Sequence, residues 1–131
     1  MKVAGQIMNV QLDTIDASAP VRDAIDLLLN HNYSGLPVVD GAGKLLGVIT
    51  EYALLAIAYD ENVENQTVGE HMTKDLVTAD VNESVRRIAD LFIVHRVRRI
   101  PVTKDGKLVG QISRRDVLRA LRANSPSLAA V

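Results

Sequence analysis

The 131-residue chain has no cysteine and no tryptophan, and its aromatic complement is three tyrosines and one phenylalanine. Without thiols there can be no disulfide framework, thiolate metal site or cysteine nucleophile, which removes several enzyme classes together. So few rings also supply poorly the stacking platforms that grip single-stranded nucleic acid. No apolar run approaches the ~20 residues of a membrane span, and Met1-Lys2-Val3-Ala4-Gly5-Gln6 lacks the apolar core of a secretory signal. A cytoplasmic address away from the membrane is therefore expected. Also absent are a Gly-rich phosphate loop, an HExxH pattern and any nucleophile–base–orienter set, so the chain is not expected to be an enzyme.

What is present is charge, unevenly spread. The net charge is −1, yet residues 1–66 carry three bases against nine acids, and residues 67–131 carry twelve bases against seven. The second half can receive an anion, and its alternative reading is a solvated basic face. His31 and His95 take equivalent places at helix ends, where electrostatics favour histidine, and no metal site is expected from them.

The sequence repeats. A shift of 64 residues lays Gly5 on Gly69, Met8 on Met72, Thr14 on Thr78, Asp16 on Asp80, Val21 on Val85, His31 on His95 and Pro37-Val38 on Pro101-Val102. After a one-residue deletion in a turn, Gly43-Lys44-Leu45 falls on Gly106-Lys107-Leu108, Gly47 on Gly110 and Leu55 on Leu118. So many ordered matches with one gap mark an internal duplication.

Each copy reads as βαββα. Short strands are expected at Leu12 to Ile15 and Leu76 to Ala79, followed by helix-start signals at Ser18 and Asn82, with Pro20 in a first turn. Val21, Ala24, Ile25, Leu28 and Leu29, and then Val85, Ile88, Ala89, Phe92 and Ile93, follow the i, i+3, i+4, i+7, i+8 spacing of one buried helical stripe. Hairpins are expected from Leu36 to Val39 with Leu45 to Thr50, and from Ile100 to Thr103 with Leu108 to Ser113, turning at Asp40-Gly41-Ala42-Gly43 and Lys104-Asp105-Gly106. Closing helices are expected over Tyr52 to Tyr59 and Arg115 to Leu121, with Asp60 to Gln66 as a linker. The division is a first repeat with N-terminal segment and linker over 1–64, a second over 65–123, and a flexible tail over 124–131. A ~60-residue unit alone would be marginal, so an α+β fold is expected in which two βαββα repeats pack sheet to sheet with pseudo-two-fold symmetry.

The duplicated unit resembles the cystathionine-β-synthase (CBS) domain, and the tandem resembles the CBS pair known as a Bateman module. The likeness is carried by Met8 and Met72, by Thr14 and Thr78, by Leu36-Pro37-Val38-Val39 and Ile100-Pro101-Val102, and by Gly47-Val48-Ile49-Thr50 and Gly110-Gln111-Ile112-Ser113. It spans about residues 4 to 122.

That resemblance implies a stand-alone regulatory module with no obligatory cofactor. It would bind AMP, ADP, ATP or S-adenosylmethionine in a cleft between the repeats, form a homodimer, and signal to a partner protein of unknown identity. The family often carries Ser or Thr three residues before Asp at the start of the last helix, where the carboxylate can accept ribose hydroxyls. Ser113-Arg114-Arg115-Asp116 matches; Thr50-Glu51-Tyr52-Ala53 does not. The resemblance further implicates Asp13, Thr14, Tyr33 and Ser34 beside Gln111, Ile112, Ser113 and Asp116. Arg98 and Arg99 would meet phosphate through their guanidinium forks. Each residue also has a plain structural reading: Asp116 as a helix cap, Arg98 and Arg99 as a solvated sheet edge, Tyr33 as packing and the two methionines as core. A nucleic-acid-binding protein using the basic second half is the alternative function.

Overall fold

A computed structural model of the chain describes residues 2–60 and 62–124. In chain order the elements are α1 (Ala4–Ile7), β1 (Ile15–Asp16), α2 (Val21–His31), β2 (Gly35–Val39), β3 (Leu45–Thr50), α3 (Glu51–Ile57), a single 3-10 turn (Val63–Asn65), α4 (Val68–His71), β4 (Ala79–Asp80), α5 (Val85–His95), β5 (Arg99–Lys104), β6 (Lys107–Ser113) and α6 (Arg114–Asn124). The strands form two three-stranded sheets, ordered β1-β2-β3 and β4-β5-β6. In each, the first pairing is parallel across a helix and the second is an antiparallel hairpin. The α+β class and the duplicated βαββα order therefore hold, down to a register shift at Val38/Val39 and again at Val102/Thr103.

Contacts divide the chain into two compact units that do not follow the repeat boundaries read along the sequence. One unit is residues 13–76; the other joins residues 1–12 to the chain from residue 77 onward. The segment preceding the first repeat thus belongs in space with the second. Met8 lies over Gly110, where a Cβ would collide with its thioether, and Asn9 exchanges main-chain hydrogen bonds with Gln111 of β6. In the other unit Met72 lies over Gly47, and Thr73 exchanges main-chain bonds with Val48 of β3. Each of these glycines makes room for a methionine.

The two cores are matching apolar clusters, aliphatic but for Phe92. One holds Val21, Ala24, Leu28, Leu36, Val38 and Ile49, and the other Val85, Ile88, Phe92, Ile100, Val102 and Ile112. The expected helical stripe is narrower than its periodicity suggested, because Leu29 is 75% exposed and Ile93 is 73% exposed. At about 100° per residue, the eighth position on from Val21 is carried ~80° around the helix, whereas the seventh returns to within ~20°.

Proline in a middle strand ordinarily costs a ladder bond. Here Pro37 precedes the start of β1 pairing at Val38, and it lies opposite Val48, whose own N–H and C=O are committed to Thr73. Pro101 repeats this against Gln111 and Asn9. No bond is forfeited. The second hairpin turns on Asp105 (φ 53°) and Gly106 (φ 79°), two consecutive left-handed residues that a tight two-residue turn requires.

Several expected boundaries move. The strands anticipated over Leu12 to Ile15 and Leu76 to Ala79 are two-residue strands ending at Asp16 and Asp80. Ser18 and Asn82 do not begin the helices. Instead, their main-chain N–H groups donate to the carboxylates of Asp16 and Asp80 in tight turns, and the N-cap positions fall to Pro20 and Ser84. The last helix runs on to Asn124, and residues 125–131 of the anticipated tail lie outside the described residues.

Candidate functional site

The residues singled out in the second half converge where β6 turns into α6. Ser113 ends β6 and Asp116 stands in the first turn of α6. Asp116 Oδ2 accepts hydrogen bonds from the Ser113 main-chain N–H at 2.9 Å and from Ser113 Oγ at 3.0 Å, while Asp116 N–H donates back to Ser113 Oγ at 3.3 Å. This is a reciprocal capping box, with the shorter Asp in place of the usual Glu or Gln. The other oxygen, Oδ1, receives Arg119 Nη1 at 3.1 Å, and the Asp116 side chain is 22% exposed. Helix capping and ligand binding do not exclude one another here. A carboxylate offers about four acceptor sites, three are used, and the group is held rigid at the edge of solvent.

Arg99 is the cross-strand partner of Ser113 in the β5–β6 register, which brings their Cβ atoms to roughly 5 Å on one face. Arg98 precedes β5. Both guanidinium groups are exposed, and among the described residues no carboxylate forms an ion pair with either. The polar groups at this corner are thus one ordered carboxylate, one hydroxyl and the Arg99 guanidinium, with Arg98 one residue before the strand. That composition suits a ligand bearing vicinal hydroxyls and an anionic group.

Gln111 and Ile112 contribute less than the sequence suggested. Ile112 is fully buried in the core, and the main chain of Gln111 is committed to Asn9. Its half-buried side chain is what Gln111 has left to offer.

The other four residues lie in the other unit, just before β1 and β2. Asp13 and Thr14 are exposed, while Tyr33 and Ser34 are half-buried. Tyr33 Oη donates to Asp13 Oδ2, and its ring stacks on His31 with centroids 5.5 Å apart. The pair ties together the lead-ins to two neighbouring strands. The second repeat has Val77 and Val97 at the corresponding positions, so this feature is not duplicated.

The corner equivalent to Ser113/Asp116 is also different. Thr50 Oγ1 caps α3 by accepting the Ala53 N–H at 3.1 Å, but Ala53 brings no carboxylate, and Gly35 stands opposite Thr50 where Arg99 stands opposite Ser113. Two helices that sequence reasoning missed, α1 and α4, are four residues each; the signal for α4 was Thr67-Val68-Gly69-Glu70, whose Glu70 Oε2 accepts the Thr67 N–H.

The family model for the CBS domain matches this chain twice, over residues 4–60 and 68–123. The chain belongs to the CBS domain family. A CBS pair is a regulatory binding module rather than a catalytic fold, in line with the sequence reading. The crystal structure of the CBS-pair protein CBSX2 in complex with AMP superposes with a TM-score of 0.83 at 30% identity, covering 95% of this chain and 100% of that one; CBSX2 is from Arabidopsis thaliana. The CBS domain pair of protein MJ0100, in complex with 5-methylthioadenosine and S-adenosyl-L-methionine, gives 0.74 at 28% identity, covering 95% and 99%. Inosine-5'-monophosphate dehydrogenase of Nitrosopumilus maritimus is 32% identical over 118 residues, which are 89% of this chain and 24% of that enzyme. The chain spans 24 to 41% of the length of three curated relatives. Among the described residues no helix is long and apolar enough to cross a membrane.

Proposed function

We propose that this CBS pair is a ligand-responsive regulatory module that binds one adenosyl compound at the β6–α6 corner and passes its occupancy to a partner protein. The observation that carries the reading is the ordered Asp116 carboxylate beside Ser113, with Arg99 across the strand pair. Asp116 Oδ atoms accept the ribose hydroxyls, and Arg98 and Arg99 take up a phosphate or carboxylate attached to the nucleoside. AMP in CBSX2 and S-adenosyl-L-methionine in the MJ0100 pair support the class of ligand. The first repeat, with Ala53 and Gly35 at the matching places, does not offer the same donor set.

The test is a melting-temperature panel with AMP, ADP, ATP and S-adenosylmethionine, run on protein first shown by mass spectrometry to be ligand-free. A ligand bound only by the folded chain stabilises it by about 2.7 kcal/mol at 100 times Kd. At least one of the four raises the melting temperature, and Arg98→Ala/Arg99→Ala lowers the gain for the phosphorylated ligands. No shift with any of them contradicts the proposal.

A further inference from the structure

Asp116 has fewer acceptor sites open than a ribose needs. Oδ2 takes both the Ser113 main-chain N–H and Ser113 Oγ, and Oδ1 takes Arg119 Nη1 at 3.1 Å, so of about four acceptor sites one is left. The vicinal hydroxyls of a ribose bring two donors. One of the three bonds in place must therefore open before both hydroxyls are seated. The three are not equally easy to open. The two Ser113 bonds close the turn that caps α6, are half-buried, and start from a residue fixed in β6 opposite Arg99. Arg119 reaches back one turn from a side chain that is 73% exposed, so water replaces whatever its guanidinium gives up. Opening an exposed ion pair costs less than about fivefold in an equilibrium, and losing an N-cap costs about that much or more.

We propose that Arg119 is an internal competitor of the ligand: it holds Oδ1 in the ligand-free chain, and the second ribose hydroxyl displaces it. This rests on Asp116 meeting the ribose, as proposed above. The outward face of α6 supplies the force that keeps the competitor in place. Arg115, Arg119 and Arg122 follow one another at i, i+4 and i+7 and, with Leu118, line a shallow groove of 210 Å³. Among the described residues Arg119 alone of the three has an acid partner. Like charges so spaced on a helix repel, so its two neighbours press Arg119 towards Asp116. The first repeat has Ala53 at the place of Asp116 and Ala56 at the place of Arg119, so the acid and its competitor occur together in one repeat and are both missing from the other. The consequence is a selectivity. A 2′-deoxyribose, with one hydroxyl, fits the one site left and leaves Arg119 where it is, whereas a ribose must displace it. Arg119 thus narrows the preference of the corner for ribonucleosides over deoxyribonucleosides.

The test is calorimetric titration of adenosine and of 2′-deoxyadenosine, neither of which carries a phosphate for Arg98 and Arg99, into the unmodified chain, Arg119→Ala and Arg119→Lys, each at low and at high salt. The side chain is exposed, so neither substitution opens the core. Arg119→Ala is expected to bind adenosine roughly twofold to fivefold more tightly and 2′-deoxyadenosine as before, and Arg119→Lys to return adenosine binding towards that of the unmodified chain. Salt screens the ion pair, so the affinity of the unmodified chain for adenosine rises with salt, and that of Arg119→Ala rises less. Adenosine bound equally or more weakly by Arg119→Ala, an equal gain for both nucleosides, or a gain that Arg119→Lys does not reverse overturns the proposal. If no protein binds either nucleoside or AMP, the ribose reading falls and this inference with it; binding that does not depend on Arg119 removes this inference alone.

Discussion

At the junction between the last strand and last helix of each repeat, the chain has made two versions of one corner. In the first repeat Thr50 caps α3 over Ala53, opposite Gly35; in the second Ser113 caps α6 with Asp116, opposite Arg99. The backbone register is the same in both, so the difference lies wholly in side-chain chemistry. A duplicated fold supplies two equivalent corners, and substitution has left one that caps a helix through a hydroxyl alone and one that caps it through a hydroxyl and a carboxylate, the corner proposed to receive the ligand.

The comparison can be broken most severely at the glycines under the two methionines. A Cβ at Gly47 would meet the Thr73 carbonyl oxygen at 2.6 Å, an atom held in the main-chain exchange with Val48. Gly47→Ala is expected to cost about 1–3 kcal/mol by chemical denaturation. At Gly110 the obstacle is the flexible Met8 side chain, so Gly110→Ala should cost less. Equal losses would mean that the two corners relax alike.

The caps come next. Asp116→Ala removes the acceptor of two Ser113 hydrogen bonds and is expected to lower stability by about 1 kcal/mol. Ala53→Asp installs the missing acid in the first turn of α3, beneath Thr50, and should raise stability by about 0.3–1 kcal/mol. Thermal melts of both proteins without ligand read these changes.

A smaller effect is expected at the ends of α2 and α5, which close on Asn32 (φ 58°) and Arg96 (φ 53°), both left-handed. Asparagine tolerates that conformation and arginine does so at a cost. Arg96→Gly should stabilise by roughly 0.5–1 kcal/mol, and Asn32→Gly should change little.

Smallest is the turn at Asp16, whose carboxyl is held below its ordinary range first by the Ser18 hydroxyl and then by the Ser18 N–H. Because the folded pKa is the lower one, this contribution is present at neutral pH and disappears as pH falls through the folded value. Ser18→Ala should therefore slightly reduce the acid sensitivity of unfolding.

Much of this was legible in the sequence because burial and turn chemistry repeat with the chain. The stripe Val21, Ala24, Leu28, the hairpin at Asp105-Gly106 and the contrast between Asp116 and Ala53 all follow from local rules. The grouping of residues 1–12 with the second repeat did not, since Met8 over Gly110 is a contact between residues about a hundred apart, and no local pattern encodes it. Ser18 and Asn82 read as helix starts because the same residue types favour Asx turns, and the carboxylates of Asp16 and Asp80 decide between the two. Ile112 looked available in a motif but is an inward position of β6, as its alternation with Gln111 and Ser113 requires.

The most direct test is a calorimetric titration of AMP into the ligand-free chain and into Asp116→Asn, which keeps a cap on α6 but loses the anionic acceptor. The account predicts one equivalent bound per chain, at least tenfold weaker binding by the variant, and little change in its melting temperature without ligand. An Asp116→Asn protein that binds AMP as the unmodified chain does would contradict it.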